Sequence, residues 1–336
     1  MTETVVIYGL GALGSAFAGL FRSARVAVAG VCRNKEQLRV IREQGLTLLE
    51  GEETFVSRFP VLDRFPAPEV PALVIVLVKS FDTETVSVAL ARFLPEQTPV
   101  LTLQNGLGNP EILSHHLRPE QVLAGTTTFG ARMESPGVVR LTGRGECILG
   151  AWDPAAGPHL PGVRQILETA GLHCSVVGDI RIPIWRKLAV NAVINPLTAL
   201  LRISNGDLPE RPELAPLIRE IVDEVRRVAE GLEIALPETA ELVREVHRVC
   251  RITASNVSSM RHDVEASHPT EMDAMNGGVA RMASRLGLDA PMNRKLAAMV
   301  HGVSPGRWNG PAALAKILEE TGAVRRVSVA RNRLTS

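Results

Sequence analysis

The chain opens on a short apolar run, Thr4 to Tyr8, dominated by valine and isoleucine and ending in glycines. Such a run predicts a strand buried on both faces, as in a parallel sheet. Ala12 to Ser23 then places Leu13, Phe17, Leu20 and Phe21 at helical spacing, and Val26 to Val31 returns to strand character. The three segments predict a βαβ unit. The alternation continues, with Lys35 to Gln44 reading as helix, Leu73 to Val78 as buried strand and Thr83 to Phe93 as helix. Val100 to Leu103 reads as a strand leading to Asn105-Gly106, and Val122 to Phe129, Val138 to Leu141 and Cys147 to Leu149 as later strands. Repeated βα units followed by strands predict an α/β fold, a doubly wound sheet with helices on both faces.

After about Gly178 the pattern changes, and from Ile184 onward it is almost wholly helical, broken by Pro, Gly and Asn-Gly turns. Ala215 to Gly231, Pro237 to Met260 and Thr270 to Gly287 are long enough to be bundle helices. The expected organisation is an α/β domain over 1–178, an all-α C-terminal domain over 179–323 and a basic tail over 324–336. That tail holds four arginines and no acidic residue, and a solvated terminus is the expected form.

Composition narrows the picture. The 336 residues suit two domains rather than one core. At 45% hydrophobic and 22% charged the chain is globular, and a formal net charge of +1 gives no whole-molecule field for nucleic acid or membrane. Cys32, Cys147, Cys174 and Cys250 form no C-x-x-C pair, and the histidines show no ligand spacing, so no metal site is expected. With no signal peptide and no apolar run long enough to span a bilayer, the expected location is the cytoplasm.

Gly9-Leu10-Gly11-Ala12-Leu13-Gly14 lies between a predicted strand and a predicted helix, the Rossmann-type fingerprint for a dinucleotide. The first glycine allows the turn, the second admits the pyrophosphate, and the third lets helix pack on strand. The end of the second strand selects the cofactor. An acidic residue there would bind the ribose 2′-hydroxyl; the chain instead has Val31-Cys32-Arg33-Asn34-Lys35. Arg33 is placed to pair with a 2′-phosphate, which suits NADP (NADPH), the other reading being a solvated basic loop.

Lys79 and Asn105 each follow a strand at the carboxyl end where open α/β sheets bind ligands, although a plain turn also explains Asn105-Gly106. Lys187, Asn191 and Asn195 recur four apart in an otherwise apolar helix and so share one slowly rotating face. That stripe lines either a cleft or solvent. Asn195-Pro196, where proline is expected to kink or stop the helix, favours the cleft. Ser259 and Glu271 bracket a break at Ser267-His268-Pro269, with Glu271 expected in the first turn of the following helix.

Through these segments, and through Gln104-Asn105-Gly106, Gly125-Thr126-Thr127-Thr128, Trp185 to Leu200 and Asn256 to Asn276, the chain resembles the ketopantoate reductase (2-dehydropantoate 2-reductase) family up to about residue 300. The resemblance implies NADPH-dependent reduction of 2-dehydropantoate to (R)-pantoate, a step towards pantothenate and coenzyme A. It further implies Lys187 as general acid, and Asn105, Asn191, Asn195, Asn205 and Ser259 as substrate contacts. Glu271 would be a second catalytic residue that organises the site from the cofactor side, and with it Lys79, Asn105 and Ala131 would touch the cofactor. Gln104 and Phe129 depart from the best-known family version, which has histidines there. A related reductase of another small 2-keto acid and a non-catalytic NADP-sensing protein are the alternatives. The expected partner is a small molecule, neither nucleic acid nor membrane, with a homodimer left open as the assembly.

Overall fold

The structure is a computed structural model that describes residues 4–65, 70–303 and 315–319. The expected basic tail at 324–336 lies outside the described residues. The chain forms two compact units, Met1–Gln104 with Gly108–Pro183, and Asn105–Leu107 with Ile184–Ser336. The division falls inside a helix, between Pro183 and Ile184, where a boundary near Gly178-Asp179 was expected. The second unit also takes three residues from the middle of the first.

The N-terminal unit begins with β1 (Thr4–Tyr8), α1 (Ala12–Ser23), β2 (Ala27–Val31) and α2 (Lys35–Gln44). Three strands follow, β3 (Leu46–Glu50), β4 (Glu53–Ser57) and β5 (Val61–Leu62). Then come β6 (Leu73–Val76), α3 (Thr83–Phe93), β7 (Val100–Thr102) and α4 (Asn109–His116). The remainder is β8 (Val122–Thr127), β9 (Gly130–Ser135), β10 (Val138–Gly143), β11 (Cys147–Ala151), α5 (Leu160–Thr169) and β12 (Cys174–Val176).

The main sheet has eight strands in the order β12-β11-β8-β7-β6-β1-β2-β5. All its pairings are parallel except β8 with β11. From β5 to β8 the order reverses at β1, the arrangement of a Rossmann-type dinucleotide-binding sheet. Successive strand residues serve opposite faces. Val5 and Ile7 of β1, with Leu73 and Ile75 of β6, join a core with Phe17 and Phe21 of α1, Ile41 of α2 and Leu167 of α5. Val6, Tyr8, Val74 and Val76 join a core on the other face with Val86 and Leu90 of α3 and Leu113 of α4. Both faces are therefore covered, as the unbroken apolar runs predict.

A second, four-stranded sheet, β4-β3-β10-β9, also forms; of its strands only β10, over the expected Val138 to Leu141, was marked by the pattern, and there as part of a single sheet. Leu46, Leu48, Val139 and Leu141 from it enter the same core as Phe17 and Phe21. The outer strand β4 is exposed at Phe55 and Val56, so its hydrophobic pattern does not mark which face is buried.

The C-terminal unit is helical, with α6 (Arg181–Leu201), α7 (Ala215–Glu230), α8 (Thr239–Ile252), α9 (Ser259–Glu265), α10 (Asn276–Arg285) and α11 (Pro291–His301). Three expectations are corrected here. The segment expected as one helix over 237–260 is two, because the backbone N–H groups of Asn205 and Gly206 donate to the carbonyls of Asn256 and Ala254 and hold residues 253–258 as a loop. Ser258 then starts α9, its Oγ accepting from the Arg261 N–H at 3.2 Å. The helix expected from Thr270 starts at Asn276, since the Met275 backbone (φ −98°, ψ −108°) leaves the helical region. Finally, Pro196 neither stops nor terminates α6, which continues to Leu201.

The last correction has a local cause. A proline at 196 cannot donate to the carbonyl of Ala192, one turn earlier. That carbonyl instead accepts from Asn276 Nδ2 at 2.9 Å. Asn276 Nδ2 also donates to Asn293 Oδ1 at 3.0 Å. Asn293 Nδ2 donates to Glu224 Oε2 at 2.8 Å, and Glu224 accepts the first-turn N–H groups of Met292 and Asn293 at 2.8 and 2.9 Å. A wholly buried polar relay thus runs from α7 through α11 and α10 to the gap that the proline leaves in α6.

Candidate active site

In the N-terminal unit the glycine loop joins β1 to α1. Gly9 has φ +110°, and a Cβ there would stand 2.7 Å from the Val78 nitrogen. A Cβ on Gly14 would stand 1.9 Å from the Gly9 carbonyl oxygen, so helix and strand meet only without a side chain. At Gly11, the N-cap of α1, an added Cβ meets nothing within 4 Å and no side chain caps the helix. The loop therefore offers open space before uncapped N–H groups, where a pyrophosphate is favoured by hydrogen bonding and by the helix dipole. The residues present fit a dinucleotide.

Gln37, which no local motif marks, braces this loop. Its Nε2 donates to the Leu10 carbonyl and to Ser15 Oγ, each at 3.3 Å, and its Oε1 accepts from the Gly137 N–H at 2.7 Å. Its place on α2, paired with a turn one hundred residues away, left no local signal. Ala131 lies on β9, opposite Leu141 of β10, and packs against the α1 core. Lys79 is half-buried just beyond β6, before a 3-10 turn over Ser80–Asp82.

The departures from the family pattern are accommodated. Gln104 Nε2 donates to the Val78 carbonyl at 2.9 Å and to Thr83 Oγ1 at 2.8 Å, while its Oε1 accepts from Thr102 Oγ1 at 2.9 Å. This amide ties the end of β7 to the segment carrying Lys79. Phe129 is buried and meets Phe17 edge-on, with centroids 5.5 Å apart.

Arg33 follows β2 beside the Asn34 cap of α2, whose Oδ1 accepts from the Gln37 N–H at 2.9 Å. Its guanidinium is ion-paired with Asp82.

In the C-terminal unit Lys187, Asn191 and Asn195 succeed one another along α6. Asn195 is buried and its Nδ2 donates to Met275 Sδ at 3.3 Å. Met275 closes the turn that starts at Glu271, with the Ala274 and Met275 N–H groups donating to the Glu271 carbonyl at 3.0 and 3.1 Å. Glu271 is buried in this turn and not in a helix, so the helix-dipole role expected for it does not apply. Asn105–Leu107 docks on the same turn: the Leu107 N–H donates to the Ala274 carbonyl at 2.7 Å. Gly106, with φ +83°, brings its backbone so close that a Cβ would stand 2.6 Å from that oxygen. A long-range contact thus demands the glycine, whereas the sequence left Asn105-Gly106 equally open to a plain turn.

Thr198, further along α6, donates to Ser258 Oγ at 2.7 Å. This ties α6 to the 253–258 loop, whose far end carries the exposed Ser259. Asn205 is buried against that loop with Nδ2 donating to Thr253 Oγ1 at 2.9 Å. Its Oδ1 has no partner among the described residues, a buried acceptor that a ligand hydroxyl would satisfy. Direct hydrogen bonds therefore tie α6 to the Glu271 turn through Asn195, the Asn105–Leu107 segment to that turn through Leu107, and α6 to the 253–258 loop through Thr198.

A glycine loop of this form on a doubly wound sheet, with a separate helical unit bearing a lysine and several amides, defines a nicotinamide-dependent oxidoreductase. Residues 5–154 match the family model described as ketopantoate reductase PanE/ApbA, and residues 179–304 match that of its C-terminal part. The chain is 36% identical over 307 residues to the 2-dehydropantoate 2-reductase of Archaeoglobus fulgidus, covering 90% of this chain and 99% of that one. It is 36% identical over 297 residues to that of Halobacterium salinarum, covering 88% and 97%. Among solved structures it is similar to a PanE/ApbA family ketopantoate reductase from Ralstonia eutropha, with TM-score 0.82, 27% identity and coverage of 89% and 97%. A ternary structure of D-mandelate dehydrogenase with NADH and anilino(oxo)acetate gives TM-score 0.85 at 25% identity, with the same coverage. The chain belongs to the ketopantoate reductase family.

Among the described residues no helix is long and apolar enough to cross a membrane, and no group of three or more His, Cys, Asp or Glu residues could hold a metal.

Proposed function

We propose that the protein reduces 2-dehydropantoate to (R)-pantoate with NADPH. The observation that carries this reading is the α6 stripe of Lys187, Asn191 and Asn195, tied to the Glu271 turn through Asn195 and Met275 in a family whose curated relatives bear that activity. Gly9 to Gly14 would hold the pyrophosphate, Arg33 the 2′-phosphate, and Lys79 and Ala131 the nicotinamide side. The cofactor, when bound, supplies a hydride to the keto carbon. Negative charge then develops on the ketone oxygen, which the Lys187 ammonium stabilises and protonates. Asn105, Asn191, Asn195, Asn205 and Ser259 would bind the carboxylate and hydroxyl of the substrate, and amides do so without adding charge beside Lys187. Glu271, buried and held in its turn, would organise the site from the cofactor side. The same reading places the enzyme in the cytoplasm, in keeping with four buried free thiols.

The likeness to D-mandelate dehydrogenase favours a second reading, reduction of a different 2-keto acid. Assays with 2-dehydropantoate beside pyruvate, 2-ketoisovalerate, acetolactate and the 2-keto acid corresponding to mandelate separate the two. A clear preference for 2-dehydropantoate is expected, and preference for another member would replace the substrate. Lys187→Ala is expected to lower kcat by about 10²–10⁴-fold while NADPH still binds. Near-normal turnover in that variant would remove Lys187 as proton donor.

A further inference from the structure

No acidic residue stands at the end of β2, where Val31-Cys32-Arg33-Asn34-Lys35 instead suits a phosphate. The fold supplies a carboxylate there from elsewhere. Asp82, beyond β6, is ion-paired through Oδ2 to Nη2 of Arg33, with the aspartate side chain 20% exposed and the arginine 57%. The Asp82 N–H donates to the Lys79 carbonyl at 2.9 Å, which fixes its position in the 3-10 turn.

The Asp82 backbone is helical (φ −98°, ψ −8°), carrying the 3-10 turn straight into α3, so its side chain makes no capping bond to the helix. Its carboxylate pairs with Arg33. Tyr8, at the end of β1, lies in the field of both: burial raises its hydroxyl pKa, Arg33 lowers it and Asp82 raises it. Thus Tyr8, Arg33 and Asp82 meet at the carboxyl ends of β1, β2 and β6, where a doubly wound sheet receives the adenosine ribose.

We propose that Asp82 is a specificity residue of the cofactor site, holding the charge of Arg33 in the free protein and reducing discrimination in favour of NADPH over NADH. A 2′-phosphate carries nearly two negative charges. It must displace Asp82 as the counter-ion of Arg33 and then tolerate a neighbouring carboxylate. A 2′-hydroxyl meets no such penalty, because the same carboxylate accepts its hydrogen bond, the task of the acidic residue in NAD-binding sites. Arg33 can still attract the phosphate, so the two residues pull the preference in opposite directions.

This inference rests on the reading that Arg33 lies at the ribose 2′ position, and the test separates the two. Binding of adenosine 2′,5′-bisphosphate and of 5′-AMP is measured by calorimetry on the full chain, beside kcat/KM for NADPH and NADH. Asp82→Asn keeps the shape and removes the charge. It is expected to tighten the bisphosphate about three- to fivefold, leave 5′-AMP unchanged within error, and raise the NADPH-to-NADH ratio of kcat/KM by a similar factor of about three to five. Unchanged or weaker bisphosphate binding in Asp82→Asn, with Arg33→Ala still weakening it, overturns the role of Asp82 alone. If Arg33→Ala leaves bisphosphate binding unchanged, the placement of the phosphate fails, and this inference with it.

Discussion

Glu224 illustrates how one residue can be chosen by partners that its own neighbours in sequence do not reveal. It reads as one charged residue among several on an amphipathic helix, yet it is fully buried and accepts two backbone N–H groups at the start of α11. Burial pushes its carboxyl pKa above the ordinary 4.5, while the bonds from Asn293 and Met292 act the other way. The native state therefore keeps this proton to higher pH than the unfolded chain does. By linkage, the stability it contributes is full below the ordinary value and declines as pH rises through the raised one. Glu224→Gln does not titrate, so the stability advantage of the parent over this variant is expected to shrink as pH rises from about 4.5 towards neutrality. Urea unfolding across that range checks this; an advantage that is flat or grows with pH would contradict it. Arg33 is a similar case, legible as a cation after β2, while its counter-ion Asp82 comes from the 3-10 turn before α3.

At the scale of elements, periodicity located β1, β2, β6, β7, β8, β10 and β11, the helices α1 to α3, and the long helices of the second half, while β3, β4, β5, β9, β12, α4, α5 and α11 went unmarked. Thr4–Tyr8, Ala12–Ser23 and Thr83–Phe93 occur with the bounds the pattern predicts. What it mislaid were the places where a distant group changes the local outcome. Pro196 reads as a helix end because proline removes a donor, and α6 continues because Asn276 replaces that donor from α10. Asn276→Leu should leave the Ala192 carbonyl and Asn293 Oδ1 unpaired and cost about 1–3 kcal/mol of stability. In the Pro196→Ala background the carbonyl regains a backbone donor, so part of that cost should disappear. A double-mutant cycle in urea reads the coupling. Strictly additive losses would show that Asn276 does not serve the proline gap. The second sheet escaped for a different reason. Its strand β4 buries no side chain and exposes Phe55 and Val56, so alternation there reports no buried face.

At the scale of the molecule, two compact units divide the work that the sequence motifs suggest, the glycine loop in one and the α6 stripe in the other. Because the loop residues belong to the N-terminal unit, NADPH should raise the thermal transition of that unit. The expected stabilisation is about 2.7 kcal/mol at a hundred times the dissociation constant. Scanning calorimetry with and without NADPH measures this, and no shift at saturation would argue against the loop as a binding site.

Local patterns along the chain suffice to specify the doubly wound sheet, the glycine loop, the helical second half and the lysine–asparagine stripe. Each is a periodic pattern or a short motif whose physics is local. Only the tertiary structure decided that Asn105–Leu107 belongs with the helical unit, that Pro196 is spanned and not obeyed, and that Glu271 sits in a turn. It also decided that Arg33 faces a carboxylate. These outcomes depend on hydrogen bonds and charges between residues far apart in the chain, and such pairs leave no period for a single sequence to display.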